Sequence, residues 1–328
     1  MQTAIGTDIN IAAAFLKAGE LVAIPTETVY GLAANALSEA SVSKIYAAKN
    51  RPSFNPLILH ISNINQMHQY AFVDEISWKL AQHFMPGPLT LLLPKQSTVP
   101  DITTAGSNKV AIRVPNQALS LALLAEIDFP LAAPSANPSG YISPTNAQHV
   151  MEGLKGKIAY ILDGGDTIVG LESTICEVAD ESIILHRAGS ITAEQLAAVS
   201  GMKVVDAAAY HAPTISDHRP DSPATPGQLK SHYAPHTPLY MGNIPELIQV
   251  HVGKKIAVIS FHTYYEGVDN FMLAPDHQLS TAASKLFATL RAIDNNHYDI
   301  ILSEHFPNEG IGIAINDRIS RAQFILKH

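Results

Sequence analysis

At 328 residues, with 47% hydrophobic and only 15% charged side chains, the chain has ample surface to bury in one large domain or two. A formal net charge of −8 excludes a broadly basic nucleic-acid coat but not a local basic pocket. The single cysteine, Cys176, excludes internal disulfides and any thiolate-built metal site.

The first twenty residues lack a basic leader and a long apolar core, and the spacing of Ile9, Ala12, Ala13 and Leu16 predicts an amphipathic surface helix. The longest apolar stretch, around Leu119 to Leu124, is too short to cross a bilayer. A soluble, cytoplasmic protein with no membrane partner is expected. Leu21–Ile24 reads as a short buried strand, and Pro25-Thr26-Glu27-Thr28-Val29-Tyr30-Gly31-Leu32 as the turn that leaves it. Hydroxyls, a carboxylate and a glycine at a strand exit suit a ligand site in an α/β sheet; alternatively Thr26 or Thr28 caps the turn.

The stretch from Lys49 to Leu57, Lys-Asn-Arg-Pro-Ser-Phe-Asn-Pro-Leu, follows a predicted helix over roughly 40–48 and precedes the apolar run Ile58-Leu59-His60-Ile61. Pro52 disfavours helical angles at Arg51, so the helix should stop near Lys49 and Asn50. Across that break Lys49 and Arg51 can converge on one anion; the other reading is that they complement the negative end of the helix dipole. Asn55-Pro56 makes a second turn into the strand.

A helix near Glu75 to Phe84 and a Pro86-Gly87-Pro88 turn feeding a strand read as scaffold. Lys109 to Pro115 is a strand with Arg113 in its apolar run. A buried arginine demands an anion, either an internal carboxylate or a bound carboxylate or phosphate. Pro130–Ala133 is another strand, and Pro134-Ser135-Ala136-Asn137-Pro138-Ser139-Gly140 a polar loop able to cradle phosphate or sugar oxygens. Pro144 should start a helix, with Ser143 as N-cap or anion contact. Gly170 to Ile175 leads into a strand, Ile183 to Gly189 carries Arg187 at a strand end, and a helix over about 192–199 is capped at Gly201. From Val204 to Leu239 proline recurs, which predicts a linker with little regular structure. Its aromatic and basic residues suggest a segment that folds back as a lid. Beyond it, strands at 255–260 and 299–302 alternate with helices at 280–294 and 311–324, a small parallel α/β domain.

No Walker-type loop, H-E-x-x-H run or cysteine pair occurs. The remaining toolkit is Lys49, Arg51, Arg113 and Arg187 with the hydroxyls and amides of Thr28, Asn55, Ser135, Asn137, Ser143 and Ser173. Such a set binds anions and stabilises developing negative charge, as phosphoryl or nucleotidyl transfer requires.

Four ordered motifs carry a resemblance: Pro25 to Leu32, the K-x-R-P-x-x-N-P-L run from Lys49 to Leu57, Arg113-Val114-Pro115, and Pro134-Ser135-Ala136-Asn137. Together they closely resemble the YrdC family, and the proline-rich linker and C-terminal α/β domain match its long, Sua-type form. The resemblance implies an α/β fold in which a YrdC-like twisted mixed sheet surrounds a concave pocket (1–203). A linker or lid (204–239) and a small Rossmann-like domain (240–328) follow. It implies a nucleotidyltransferase that turns L-threonine, bicarbonate and ATP into L-threonylcarbamoyladenylate and pyrophosphate. Mg²⁺ would travel with the ATP, with no protein metal ligands and no organic cofactor. A downstream threonylcarbamoyl transferase complex would pass the group to tRNA, which this chain meets only indirectly. Carried over position by position, Thr28, His60, Arg113, Ala133 and Ser173 correspond to the threonine pocket. Arg51, Asn55, Ser135, Ser143, Arg187 and the linker aromatic Tyr233 correspond to ATP contacts. Lys49, Arg51, Ser135 and Asn137 form the family's polar tetrad. Lys109 stands where the family often has threonine, which leaves a main-chain ATP contact there, and the middle of the linker is less basic than in other members.

Two rivals remain. A YrdC-type module could hold nucleotide or RNA without chemistry, although the acidic balance weighs against extended RNA contacts. A carbamoyltransferase of hydrogenase maturation would carry a zinc finger, which one cysteine cannot build.

Overall fold

The computed structural model describes residues 2–210, 225 and 233–323. The sequence-predicted lid falls largely on 211–224 and 226–232, outside the described residues.

The elements run β1 (Ala4–Gly6), α1 (Ile9–Lys17), β2 (Val22–Ile24), β3 (Gly31–Asn35), α2 (Glu39–Lys49), β4 (Ile58–His60), α3 (Met67–Tyr70), α4 (Glu75–Phe84) and β5 (Leu89–Pro94). Then come α5 (Asp101–Thr104), β6 (Lys109–Arg113), α6 (Ala118–Glu126), β7 (Leu131–Ala132), α7 (Ala147–Leu154), β8 (Tyr160–Leu162), β9 (Thr174–Ala179), β10 (Ser182–Arg187), α8 (Ala193–Ser200) and β11 (Lys203–Asp206). The second unit holds β12 (Leu239–Met241), α9 (Ile244–Val250), β13 (Ile256–Ser260), β14 (Asp269–Met272), α10 (Leu279–Asp294), β15 (Ile300–Ser303) and α11 (Ile311–Ala322).

Among the described residues the first unit forms one mixed sheet, in the order β1-β8-β2-β3-β7-β4-β6-β5-β9-β10-β11. Side chains alternate between its faces. Leu59, Leu91, Ile112, Cys176 and Ile183 point to a core completed by α2, α4 and α8. Ile58, Leu92, Ala111 and Ile175 make a small apolar patch on the opposite face, and the polar residues of interest share that side. The second sheet, β12-β15-β13-β14, is parallel throughout. Its faces are covered by α9 on one side and by α10 and α11 on the other, as the period of its strands and helices predicts.

Local chemistry accounts for the boundaries. Ser38 caps α2 by accepting from the Ser41 amide, and Asn50 ends it in the left-handed region at φ 51°, a conformation asparagine tolerates better than most residues. The helix therefore stops where Pro52 says it should. The expected start of α7 is corrected: Ser143 and Pro144 precede the helix, and Asn146 is the N-cap, accepting from the His149 amide at 2.9 Å. The Pro144 carbonyl is instead taken by the Tyr30 amide at 2.9 Å, which ties this segment to the β2–β3 turn. The expectation of irregular structure from Val204 is also corrected. Residues 203–206 pair in parallel with β10, Ser182 opposite Lys203 through Leu185 opposite Asp206, so the sheet runs past the boundary expected at 203. Two adjacent valines sufficed for an edge strand because the prolines begin only at 213. The strand β3, part of the expected turn, is pulled into extended pairing by β2 and β7.

The two units share a core. Val29, Ile142 and Leu171 of the first pack with Tyr233 and with Phe287, Leu290 and Ala283 of the second. Arg291, fully buried on α10, donates to the carbonyl of Ile142 at 2.5 Å. Gly170 sits at φ +74°, and a Cβ there would lie 2.6 Å from both Cα and O of Ser284 on α10. Gly170→Ala should therefore cost about 2–4 kcal/mol, from overpacking plus left-handed strain. Gly201→Ala, at φ +76° with nothing within 4 Å, should cost only about 1 kcal/mol. Urea unfolding of the two variants checks the contrast; equal losses would mean the domain contact does not constrain Gly170.

Candidate active site

On the concave face a cavity is walled by Thr28, Arg51, His60, Arg113, Ala133, Ser135, Glu172, Ser173, Arg187 and Tyr233, among others. It encloses about 510 Å³ of non-atom space, open solvent at its mouth included. Three guanidinium groups from separate segments thus meet in one hollow with one carboxylate.

Each is fixed by its own local structure. Arg51, on the extended backbone after α2, donates from Nε to the Asn55 carbonyl at 3.2 Å and from Nη2 to the Pro56 carbonyl at 3.0 Å. Those bonds leave Nη1 without a protein partner among the described residues. Arg113 ends β6 and donates from Nη1 to Thr28 Oγ1 at 2.9 Å. Its Nη2 lies 2.7 Å from Glu27 Oε2, an ion contact lacking hydrogen-bond alignment. Arg113 Nε and Nη2 and both Glu27 oxygens consequently have no hydrogen-bond partner among the described residues. The sequence left open whether Arg113 meets an internal carboxylate or a ligand; Glu27 supplies the first while donors remain for the second. Thr26 takes the capping role, its Oγ1 accepting from the amides of Thr28 and Val29 at 3.1 and 3.2 Å, which frees Thr28 to face Arg113.

Arg187 reaches the cavity through an irregularity. In β10, Leu185 opposes Cys176 but Arg187 opposes Ile175, with a register shift between them. Strict alternation would put Arg187 on the core face with Ile183 and Leu185. The extra residue is a β-bulge, and it turns the guanidinium to the concave face. There it donates from Nε to the Ser173 carbonyl at 2.9 Å and from Nη2 to Ser173 Oγ at 3.0 Å. Burial pushes the pKa of Arg51 and of Arg187 down to about 10, so both stay charged at neutral pH.

The remaining predicted residues fall into two groups. His60 and Ala133 join the wall, and Ser135 faces the cavity while its carbonyl accepts from Lys49 Nζ at 2.5 Å. Lys49 also donates to the Asn137 carbonyl, and the Ser139 amide donates back to Lys49 at 2.8 Å. Lys49 is therefore a brace behind the 134–140 loop and not part of the cavity wall. Burial, then the charge of Arg51, holds its ammonium well below the usual lysine range. Asn137 turns its amide inward to the carbonyls of Pro138 and Tyr141. Asn55 is fully buried, and neither its amide nitrogen nor its oxygen has a partner among the described residues. Ser143 lies just behind the wall, donating to Glu172 Oε1 at 2.6 Å. Lys109 stands apart at the other end of β6, paired with Glu177. Tyr233, buried, closes one side of the cavity and stacks on Phe287 at 5.3 Å between centroids.

Sequence reasoning passed over Glu172 and used only its neighbour Ser173. The available signal was a carboxylate inside Gly-Leu-Glu-Ser-Thr-Ile, an apolar setting where an acid must be paired. Its partner is Arg318, more than 140 residues away, which no local pattern shows.

A twisted mixed sheet with a guanidinium-lined hollow, packed against a second α/β unit, defines a two-domain protein with a buried cationic cavity. Two family models match consecutive parts of the chain: Sua5/YciO/YrdC, described as "Telomere recombination", over residues 14–189, and "Threonylcarbamoyl-AMP synthase, C-terminal domain" over 191–323. Threonylcarbamoyl-AMP synthase of Bacillus subtilis is 43% identical, the match spanning 95% of this chain and 91% of that protein. The enzyme of that name from Pyrococcus abyssi is 40% identical over 96% and 93%. The crystal structure of P. abyssi Sua5 complexed with L-threonine superposes with a TM-score of 0.86 at 38% identity, covering 98% of this chain and 96% of that one. This chain belongs to the Sua5/YciO/YrdC family, in its long two-domain form.

His60 allows a direct test of the site's dryness. Burial, then the charge of Arg113, pushes its imidazole down to about 3, so the ring is neutral at neutral pH. The unfolded chain protonates this histidine near pH 6.5. Its contribution to stability is thus fully present above pH 6.5 and lost as pH falls toward 3. Between pH 6.5 and 4.5 the wild type should lose about 2 kcal/mol more unfolding free energy than His60→Asn, measured by urea titration at each pH. Identical losses would show that His60 is solvated.

Proposed function

We propose that this chain synthesises threonylcarbamoyl-AMP from L-threonine, bicarbonate and ATP, releasing pyrophosphate, in the pathway of tRNA threonylcarbamoyladenosine modification. It is a transferase, and its chemistry is nucleotidyl transfer. The observation that carries this reading is the convergence of Arg51, Arg113 and Arg187 on one buried cavity, in a fold whose relative was solved with L-threonine. Three cations against one wall carboxylate suit a triphosphate beside an amino-acid carboxylate.

In this reading Arg113, with donors to spare, takes the threonine carboxylate, and Thr28, His60, Ala133 and Ser173 shape the rest of that subsite. Arg51, Arg187, Ser135, Ser143 and Tyr233 serve the nucleotide. The amide of Asn55, without a partner among the described residues, supports a ligand contact, since a buried amide left unsatisfied costs stability. Lys49 and Asn137 act by holding the 134–140 loop, and Lys109 offers its main chain. The threonine amine attacks bicarbonate, water leaves, and a carbamate oxygen attacks the α-phosphorus while the bond to pyrophosphate breaks. Arg51 and Arg187 meet the charge that develops on the phosphate oxygens. The donors around the cavity are cations, hydroxyls and amides, a set that grips phosphate; Mg²⁺ would ride on the triphosphate, offsetting part of its charge. Product passes to a separate transfer complex, which alone handles tRNA. Among the described residues no helix is long and apolar enough to cross a membrane, and a cytoplasmic place suits an enzyme supplying tRNA modification.

Incubation with ATP, bicarbonate and one amino acid at a time should release pyrophosphate with threonine and not with alanine or valine. Arg51→Ala should lower that turnover by about 10²–10³-fold. Pyrophosphate release independent of threonine, or an unaffected Arg51→Ala variant, refutes the assignment.

A further inference from the structure

Glu172 is an anomaly in a cavity meant for anions. It is buried in the wall beside Arg187, where an uncompensated carboxylate would repel a triphosphate. Its charge is not left uncompensated. Oε1 accepts from Ser143 Oγ at 2.6 Å, and Oε2 accepts from Arg318 Nε at 3.0 Å. Arg318 comes from α11 of the second domain and is among the largest fully buried side chains. Its Nη2 donates to the carbonyl of Ala188, the residue after Arg187, at 2.9 Å, and its Nη1 to Asp317 at 2.7 Å. Its guanidinium carbon also lies 5.5 Å from the ring centroid of Tyr233. One side chain of the second domain thus touches three pieces of the cavity wall: the acid, the backbone behind a cationic residue, and the aromatic side.

We propose that Arg318 is a positioning residue for the nucleotide: by pairing with Glu172 it offsets the carboxylate's charge on the phosphate side of the cavity and makes triphosphate binding depend on the second domain. The inference rests on the reading of this cavity as an ATP site. A charge pair buried this deeply is also a packing device, so loss of activity alone would not separate the two roles. What separates them is dependence on ligand charge. An exposed acid should penalise a ligand in proportion to the negative charge it brings near, so ATP should suffer far more than AMP.

The test uses the full chain and measures the dissociation constants of ATP and AMP by calorimetry, for wild type, Arg318→Met, and Arg318→Met combined with Glu172→Gln. Arg318→Met should weaken ATP at least tenfold and AMP less than threefold, and raise the KM for ATP much more than that for threonine. Replacing both partners removes the repelling acid and should recover most of the lost ATP affinity. If Arg318→Met alone does not fold, the doubly substituted chain carries the test, because it removes both charges of the buried Arg318–Glu172 pair together. ATP affinity within threefold of wild type then supports the proposal, and a tenfold loss overturns it. Equal weakening of ATP and AMP, or a larger effect on threonine, also overturns it. Wild-type protein that binds no ATP at all sinks the functional reading itself, a separate failure.

Discussion

Mutual repulsion among buried guanidinium groups is the constraint this structure is built around. Arg51, Arg113 and Arg187 are each less than a tenth exposed, and burial costs each of them hydration that only nearby oxygens can replace. The fold answers with main-chain carbonyls for Arg51 and Arg187, and with Thr28 and Glu27 for Arg113. None of those partners can leave, so the donors are aimed before any ligand arrives. Such pre-set dipoles and charges are what give electrostatic catalysis its leverage, and an arriving anion gains by relieving the repulsion.

The second domain belongs to the same economy of charge. Its two deeply buried arginines both reach across to the first domain: Arg291 to the carbonyls of Ile142 and His149, Arg318 to Glu172 and Ala188. The stretch from Ser135 to His149 is therefore held at two places, by Lys49 at Ser135 and Asn137 and by Arg291 at Ile142 and His149. A shared apolar core with Val29 and Leu171 makes this an attachment by packing as well as by charge.

Much of this was readable in the letters. Pro52 and Asn50 announced the end of α2, the apolar run after Pro56 announced β4, and Arg113 inside a strand announced a buried anion partner. Alternating strands and helices after residue 255 gave the parallel second sheet. What could not be read depended on partners distant in sequence. The acceptors of Lys49, the carbonyls of Ser135 and Asn137, are main-chain atoms that no residue pattern reveals. Ser143 looked like a helix cap until the carbonyl of Pro144 was claimed by Tyr30. Glu172 was overlooked because the arginine that answers it lies on another domain. β11 was missed because a short edge strand carries little signal beside the proline-rich segment that follows it.

The bulge in β10 carries a wider consequence. Whether Arg187 faces ligand or hydrocarbon is decided by a single surplus residue, not by the identity of the arginine. The positive character of the cavity is thus partly a matter of counting along the backbone: with the bulge kept, a one-residue insertion between Leu185 and Arg187 would drive a charge into the core while every functional side chain stayed in the sequence, whereas deleting His186 would remove the surplus residue and leave the arginine opposite Ile175. An insertion here is a more severe change than a point substitution, even though the strand lies near the rim of its sheet, where length variation is ordinarily best tolerated.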